Sequence, residues 1–485
     1  MNFITAEEAS RKWGIGLRTV QRMCANGKIE GVEKISNIWM IPNTAKPHSQ
    51  RKTKHSVTKD EILDAYKAFV CGDYNKYNNF FSQNNVCKTL IEKAYYSAIE
   101  SYKYFPKIEK MSVYWEKAKE YLEATNSKIP ELSLTMGGHY TLGVFLQKPG
   151  DADEVGKLLF EKLPLFEYIT GHKSGLDLLF KAELASRRGN MNDAELLSYK
   201  TIFTQDSDAD VKLGISYILA HTAICKRDAE GWKRAVEMIS EIQHDSKITK
   251  ASIEIAKSEL LMVGGFLSRI PDWLKVGDFS GKKLTVTSKY NALFVYLSCL
   301  TKKKEYAKAI AFADFLLENA DEQFYVSCYS YIYLFLLMAI CYNKLYMYEQ
   351  SVEYFKKALE IAKPDRLFMP FVEYYDLVGK ACEKYLINNE YDMYKEIYGI
   401  KKKYSENLES LKSALKEPEL TEGLTEREKE ISLLIGQGMS NAEIAEQLYI
   451  SKSTVNYHIQ NIYNKLGVNR RSMMIKLLFF SDKND

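Results

Sequence analysis

Between residues 60 and 415 small side chains recur at fixed offsets, and this recurrence restricts the chain to few architectures. Ala194, Ala235, Ala309 and Ser351 each follow a helix-opening segment: Asn190-Met-Asn-Asp, Glu230-Gly-Trp-Lys-Arg, Tyr306-Ala-Lys and Tyr348-Glu-Gln. Twelve positions before them come Ala182, Ala223, Leu297 and Ala339, three of the four being alanine, as a close approach of two helices requires. The small residues are 41, 74 and 42 positions apart, the middle interval being near twice 37. A repeat of about 34–45 residues built on a helix pair cannot bury its apolar side alone, so it stacks on its neighbours into a helical solenoid. The uncharged run from Gln323 to Asn343 is long enough to suggest a membrane span. It carries Gln323, Ser327, Ser330 and several tyrosines and lies inside one repeat, so a buried core helix is expected, in a cytoplasmic protein with no membrane contact.

Charge divides the chain further. Residues 1–59 hold eleven basic and four acidic side chains, a balance of +7. Residues 420–485 balance at eight and eight, yet 451–477 contain Lys452, Lys465, Arg470, Arg471 and Lys476 and no acid. Against a total of +4, this leaves −3 for 60–419. Basic ends around a mildly acidic middle are an electrostatic footprint for a polyanion. Eight cysteines without a C-x-x-C pair fit reduced thiols rather than disulfides or zinc.

The C-terminal end is written as a series of helix starts. Thr425-Glu-Arg-Glu428 and Ser440-Asn-Ala-Glu443 are capping boxes, in which the hydroxyl caps a backbone N–H and the glutamate reaches back. Ile431, Leu434 and Ile435 form an apolar stripe that stops at Gly436-Gln-Gly438. Ile444, Ala445 and Leu448 mark a second helix, and Ser451 caps a third with Val455, Ile459, Ile462 and Leu466 inward. Short helix, tight turn and longer helix make a helix-turn-helix, which lays its second helix in the major groove of DNA. Turning Val455, Ile459 and Ile462 inward turns Asn456, Tyr457 and Gln460 outward. Asn and Gln pair bidentately with adenine and suit base readout. Lys452, Thr454, His458, Lys465 and Arg470 flank them and suit phosphate contacts.

These positions, from Leu424-Thr-Glu-Arg-Glu-Lys-Glu-Ile431 through Gly438-Met-Ser-Asn441 to Thr454-Val455 and Lys465-Leu466, resemble the LuxR-type DNA-binding domain over roughly 60 residues. The resemblance implies a four-helix domain on promoter DNA, dimeric through a last helix at Arg471–Phe480. Met474, Leu477, Leu478 and Phe480 would be its apolar edge. The family often carries a basic residue where this chain has Asn456, a loss that weakens generic DNA affinity.

At the other end, Thr5-Ala-Glu-Glu8 opens a helix carrying Ala9 and Trp13, Gly14 stops it, and Leu17–Ala25 follows with Val20 and Met23/Cys24 inward. Arg18, Thr19, Gln21 and Arg22 then lie outward or at the flanks. Val32–Ile35 and Ile38–Ile41 alternate about Ser36-Asn37, the pattern of a β-hairpin whose tip brings Lys34 and Asn37 towards a phosphate or the minor groove. This segment resembles the excisionase/MerR-like winged helix-turn-helix domains, in T-x-E-E-A-x-x-x-W-G-I and in Trp39-Met-Ile-Pro42. Residues 46–59 are polar and basic and read as a flexible linker.

The middle is similar to tetratricopeptide repeats, and its combination with a LuxR-type end resembles the sensor arm of MalT-like regulators. No phosphate-binding loop accompanies it: Gly277-Asp-Phe-Ser-Gly281-Lys-Lys is too short between its glycines and lacks the Ser/Thr. The βα alternation of a receiver domain is absent from 60–415. Seven histidines without metal-ligand spacing and no G-x-S-x-G give no catalytic or metal constellation, so no enzyme activity and no cofactor are expected.

The expected chain is therefore mainly α, with four segments. A winged helix-turn-helix spans 1–45 and a basic linker 46–59. A tetratricopeptide-like solenoid spans 60–415, and a four-helix LuxR-type domain 420–485. Its expected partners are double-stranded promoter DNA, a second copy through the last helix, and a protein, peptide or small-molecule effector in the solenoid. The rival expectation is a helical-repeat interaction scaffold with incidental DNA binding.

Overall fold

A computed structural model describes residues 3–35, 38–45, 55–203, 209–242, 250–319, 327–415, 424–436 and 438–479. The chain packs as two compact units: Met1–Pro130 with Leu165–Gly171, and the remainder.

In the first unit three short strands, β1 (Phe3–Thr5), β2 (Glu33–Ile35) and β3 (Ile38–Pro42), form an antiparallel sheet in the order β1-β3-β2. Phe3 faces Pro42, and Ile35 faces Ile38 at the hairpin end. The strand β1 has no counterpart in the sequence reading, because three residues are too few to show an alternation. Helix α1 (Ala6–Trp13) is closed at its start by the expected capping box: the Glu8 N–H donates to Thr5 Oγ1 (3.2 Å) and the Thr5 N–H to Glu8 Oε2 (2.8 Å). Gly14 ends it at φ +64°, a left-handed conformation that glycine adopts without a Cβ penalty. Helix α2 (Leu17–Ala25) follows, and Ala6, Ala9, Val20, Cys24, Ile29 and Ile41 close the core beneath the sheet.

The expected linker is shorter than its charge pattern suggests. His55–Val57 is a strand, β4, paired in parallel with β5 (Asn85–Cys87), and Thr58 caps the helix Lys59–Val70. Polar composition hid this strand, since only Val57 of its three residues is buried. The rest of the segment, 46–54, lies outside the described residues.

The second unit is built largely of helices that pack in consecutive pairs. Leu176–Arg187 is followed by Met191–Phe203, Ala209–Lys226 by Ala229–Glu241, Val286–Lys302 by Tyr306–Glu318, and Cys328–Lys344 by Tyr348–Ala362. Each of the eight recurrent positions, from Ala182 and Ala194 to Ala339 and Ser351, is buried. At the last pair the twelve-residue offset is a hydrogen bond, with Ser351 Oγ donating to the Ala339 carbonyl (2.8 Å). The uncharged run becomes the helix Cys328–Lys344, whose Ile332, Leu334, Leu336, Leu337 and Ile340 are all buried. Among the described residues no helix is long and apolar enough to cross a membrane.

The chain ends in four helices: α3 (Glu426–Gly436), α4 (Asn441–Gln447), α5 (Lys452–Leu466) and α6 (Arg471–Phe479). Leu424, Ile431, Leu434, Ile435, Ile444, Ala445, Val455, Ile459, Ile462 and Met474 make their common core, with Leu448 and Leu466 half-buried at its edge. Met474 corrects one expectation. It is fully buried among α3–α5 and so is not part of an exposed dimer edge, while its neighbour Met473 is exposed. The side chains of Leu477 and Leu478, and all of Phe480, lie outside the described residues.

Candidate nucleic-acid interface

The outward face of α5 is set by its buried one. With Val455, Ile459 and Ile462 in the core, Asn456 and Gln460 are exposed, and Tyr457 is 65% exposed. Lys452 is exposed at the start of the helix and Arg470 in the turn before α6, and Thr454 and His458 are half-buried at the flanks, His458 against the Tyr457 ring (5.7 Å between centroids). The start of α5 is held by Ser451, whose Oγ accepts from the Thr454 N–H (3.1 Å). Its end is held by Gly467 at φ +66°.

Two of these side chains have intramolecular partners that the sequence did not reveal. Asn456 Oδ1 accepts from Asn441 Nδ2 (2.9 Å), and Asn441 Oδ1 in turn accepts from Arg471 Nη1 (2.7 Å). Arg471 also donates to the Met439 carbonyl. This chain ties α4, α5 and α6 together; it occupies one lone pair of the Asn456 amide oxygen and leaves the other, with the Nδ2 donor, for the donor–acceptor pair that adenine takes. Lys465 Nζ bonds Glu428 Oε2 (2.7 Å), the same oxygen that accepts from the Thr425 N–H (2.6 Å) at the cap of α3. Burial pushes the Glu428 carboxyl up, but the hydrogen bonds from Lys465 and Thr425 outweigh it and hold the group below the usual carboxylate range. Lys465 is thus a tie between α3 and α5 before it is a contact for phosphate. No periodicity links positions 428 and 465, which is why spacing alone did not find the pair.

In the N-terminal module Arg18, Gln21 and Arg22 are exposed along α2, and Thr19 is half-buried. Lys34 is exposed on β2, its ammonium 5.3 Å from the centre of the Trp39 ring. Asn37 lies outside the described residues. Ile35 and Ile38, at the described end of the hairpin, are 55% and 54% exposed. Lys12 is turned back on the fold, donating to both the backbone and side-chain oxygens of Asn43 (2.7 Å each). Among the described residues there is no group of three or more His, Cys, Asp or Glu side chains able to hold a metal ion.

Comparison with known proteins places a family on the four terminal helices alone. Residues 422–478 match the family described as "Bacterial regulatory proteins, luxR family". The "Response regulator protein VraR" of Staphylococcus aureus and that of Staphylococcus epidermidis are each 48% identical over 64 residues, 13% of this chain and 31% of theirs. The "Probable transcriptional regulatory protein SgaR" of Hyphomicrobium methylovorum is 41% identical over 64 residues, 13% of this chain and 30% of that protein. The chain therefore spans less than a third of the length of these relatives. Its C-terminal segment is a LuxR-family helix-turn-helix domain.

Proposed function

We propose that this chain is a sequence-specific DNA-binding transcription regulator whose helical-repeat middle senses a protein, peptide or small effector. The observation that carries the reading is the outward face of α5. There Lys452, Asn456, Tyr457 and Gln460 are exposed on the helix that, in a luxR-family domain, occupies the position of the DNA-reading helix, with Arg470 exposed in the turn that follows it. Asn456, Tyr457 and Gln460 read base edges in this proposal. Lys452, Thr454, His458 and Arg470 position the backbone, and Lys465 does so only while also holding Glu428.

A winged helix-turn-helix at residues 1–45 is the second reading head. The exposed row Arg18, Gln21 and Arg22 on α2, together with the charge of +7 over residues 1–59, supports it. Two heads on one chain raise each other's effective concentration on a composite operator when both sites lie within reach. Exposed Ile35 and Ile38 favour a different use of the same module, docking on protein through the hairpin.

Footprinting the full-length protein and a form lacking residues 1–45 on genomic fragments separates the two. A two-part footprint that loses one part on deletion supports two DNA readers. One compact footprint, unchanged by deletion, makes the N-terminal module a docking element. No protected sequence at all refutes the regulator reading and favours a helical-repeat scaffold.

A further inference from the structure

The sequence offered no ligand residue in the middle of the chain, but the structure contains a cavity there. It lies in the second unit among the helices Ala209–Lys226, Lys250–Gly264, Val286–Lys302, Cys328–Lys344 and Met369–Val378. It offers about 70 Å³ to the centres of water-sized spheres, against the ~10–15 Å³ that one water needs, so a body of several heavy atoms fits. Tyr217, Tyr290, Phe294 and Tyr374 contribute aromatic wall, and its ionisable carboxylates are Glu259 and Glu373, with no lysine or arginine among the lining residues.

The two carboxylates differ in how they are satisfied. Glu373 Oε1 accepts from Arg187 Nη1 (3.1 Å) and His221 Nε2 (2.7 Å), and its Oε2 from the Tyr333 hydroxyl (3.3 Å). The Arg187 charge is thereby matched. Glu259, only 5% exposed, has one oxygen served twice, by His139 Nε2 (3.0 Å) and by the Tyr140 hydroxyl. Its Oε1 has no hydrogen-bond partner among the described residues. His139 Nδ1 in turn lies 3.4 Å from Asn291 Nδ2. A carboxyl oxygen held away from water without a partner is costly, and a donor carrying positive charge removes that cost.

We propose that this cavity binds a small organic ammonium ion, its N–H groups bonding Glu259 Oε1 and its apolar body resting on Tyr217, Tyr290, Phe294 and Tyr374. Aromatic faces and a carboxylate together are the environment that favours an alkylated ammonium over water. The proposal deepens the sensing role given to the middle of the chain and rests on it for its biological meaning, although binding itself is measured independently.

Calorimetry on the full-length protein with cyclohexylammonium, cyclohexanol and cyclohexanecarboxylate tests it, since the three share one apolar ring and differ in charge. Cyclohexylammonium should bind about ten- to a hundredfold more tightly than the alcohol, the range of a charged hydrogen bond, and the carboxylate should not bind. Glu259→Gln should abolish the preference for the ammonium. Val263→Phe, which places bulk at a lining position and keeps the carboxyl group, should weaken ammonium and alcohol together and serves if Glu259→Gln does not fold. Equal affinity for alcohol and ammonium, no binding of any of the three, or ammonium binding untouched by Val263→Phe would overturn the proposal. Ammonium binding that leaves the DNA footprint and affinity unchanged supports the site and removes the sensing role from the middle of the chain.

Discussion

Lys465→Ala separates two roles that the sequence could not tell apart. As a phosphate contact alone, Lys465 would matter only on DNA. The structure gives it a bond of 2.7 Å to Glu428, whose side chain is 4% exposed against 38% for the lysine. Removing one partner of a fully buried pair costs about 3–5 kcal/mol, whereas an exposed pair contributes about 0.2–1 kcal/mol. With the acid buried and the base partly solvated, the loss should be about 1–2 kcal/mol. Amide hydrogen exchange of α3 and α5 in the full-length protein reads this directly, as a fall in protection of about 5- to 30-fold. Glu428→Gln keeps an N3 side chain able to complete the capping box while deleting the charge, so Lys465→Ala should cost little in that background. The sign with pH follows from the depressed Glu428 carboxyl. The pair's stabilisation is complete above the unfolded carboxylate value, about 4.3, and is lost as pH falls through the lower folded value. Unchanged protection at neutral pH, together with a salt slope of DNA binding reduced by about 1, would refute the tie and leave Lys465 as a phosphate contact alone.

Three further outcomes follow from the same geometry. Met474→Ala should destabilise the C-terminal helices by about 2–5 kcal/mol, because the side chain fills their core, whereas exposed Met473→Ala should change stability by less than about 0.5 kcal/mol. Equal exchange protection in the two variants would contradict that burial. Asn456→Ala combined with Gln460→Ala should relax base preference in one part of the operator by about 1–3 kcal/mol per lost pairing, read by selection from random DNA. An unchanged selected sequence would exclude α5 as the reader. In the middle of the chain, burial pushes the Glu373 carboxyl up, but His221 and the Arg187 charge outweigh it and hold it below the ordinary range. Its contribution to stability is therefore lost as pH falls through that lowered value, and Arg187→Ala should move the acid transition in circular dichroism to higher pH. An acid transition at the same pH in both proteins would show that Arg187 does not stabilise the carboxylate.

How much of this was legible depended on how local the determinants were. The C-terminal helix starts and inward residues could be read because capping boxes span three residues and a helix face repeats every three or four. Ser440 and Glu443 form their box as written, and Val455, Ile459 and Ile462 are buried as their spacing implies. The same rules placed α1 and α2, down to the stop at Gly14. They failed where the determinant was a partner far along the chain. Nothing at Asn441 announces Asn456, nothing at Glu428 announces Lys465, and the apolar Met474 looks equally suited to an outer edge and to the inner core.

The middle of the chain shows why a functional cavity can be invisible in a sequence whose helices are easy to find. Helix Ala209–Lys226 buries Asp210, Ser216, His221 and Thr222 along with its apolar residues, so it has no polar face from which an orientation could be read. Its His221 meets Glu373 across 152 residues, and Arg187 meets the same carboxylate across 186. Glu259 meets His139 across 120. Each of these side chains, taken on its own helix, is an ordinary polar residue among apolar ones. Only their convergence shows that one carboxylate is paired with a guanidinium, while the other is bonded by His139 and Tyr140 through one oxygen and leaves the second bare. Burying a carboxyl group is tolerable when its oxygens are partnered, and one left unpartnered in a cavity wall offers a place to a donor from a ligand. An unpartnered oxygen on a carboxyl that also lines a cavity, rather than the abundance of tyrosine, distinguishes a binding site from a well-packed helical interior.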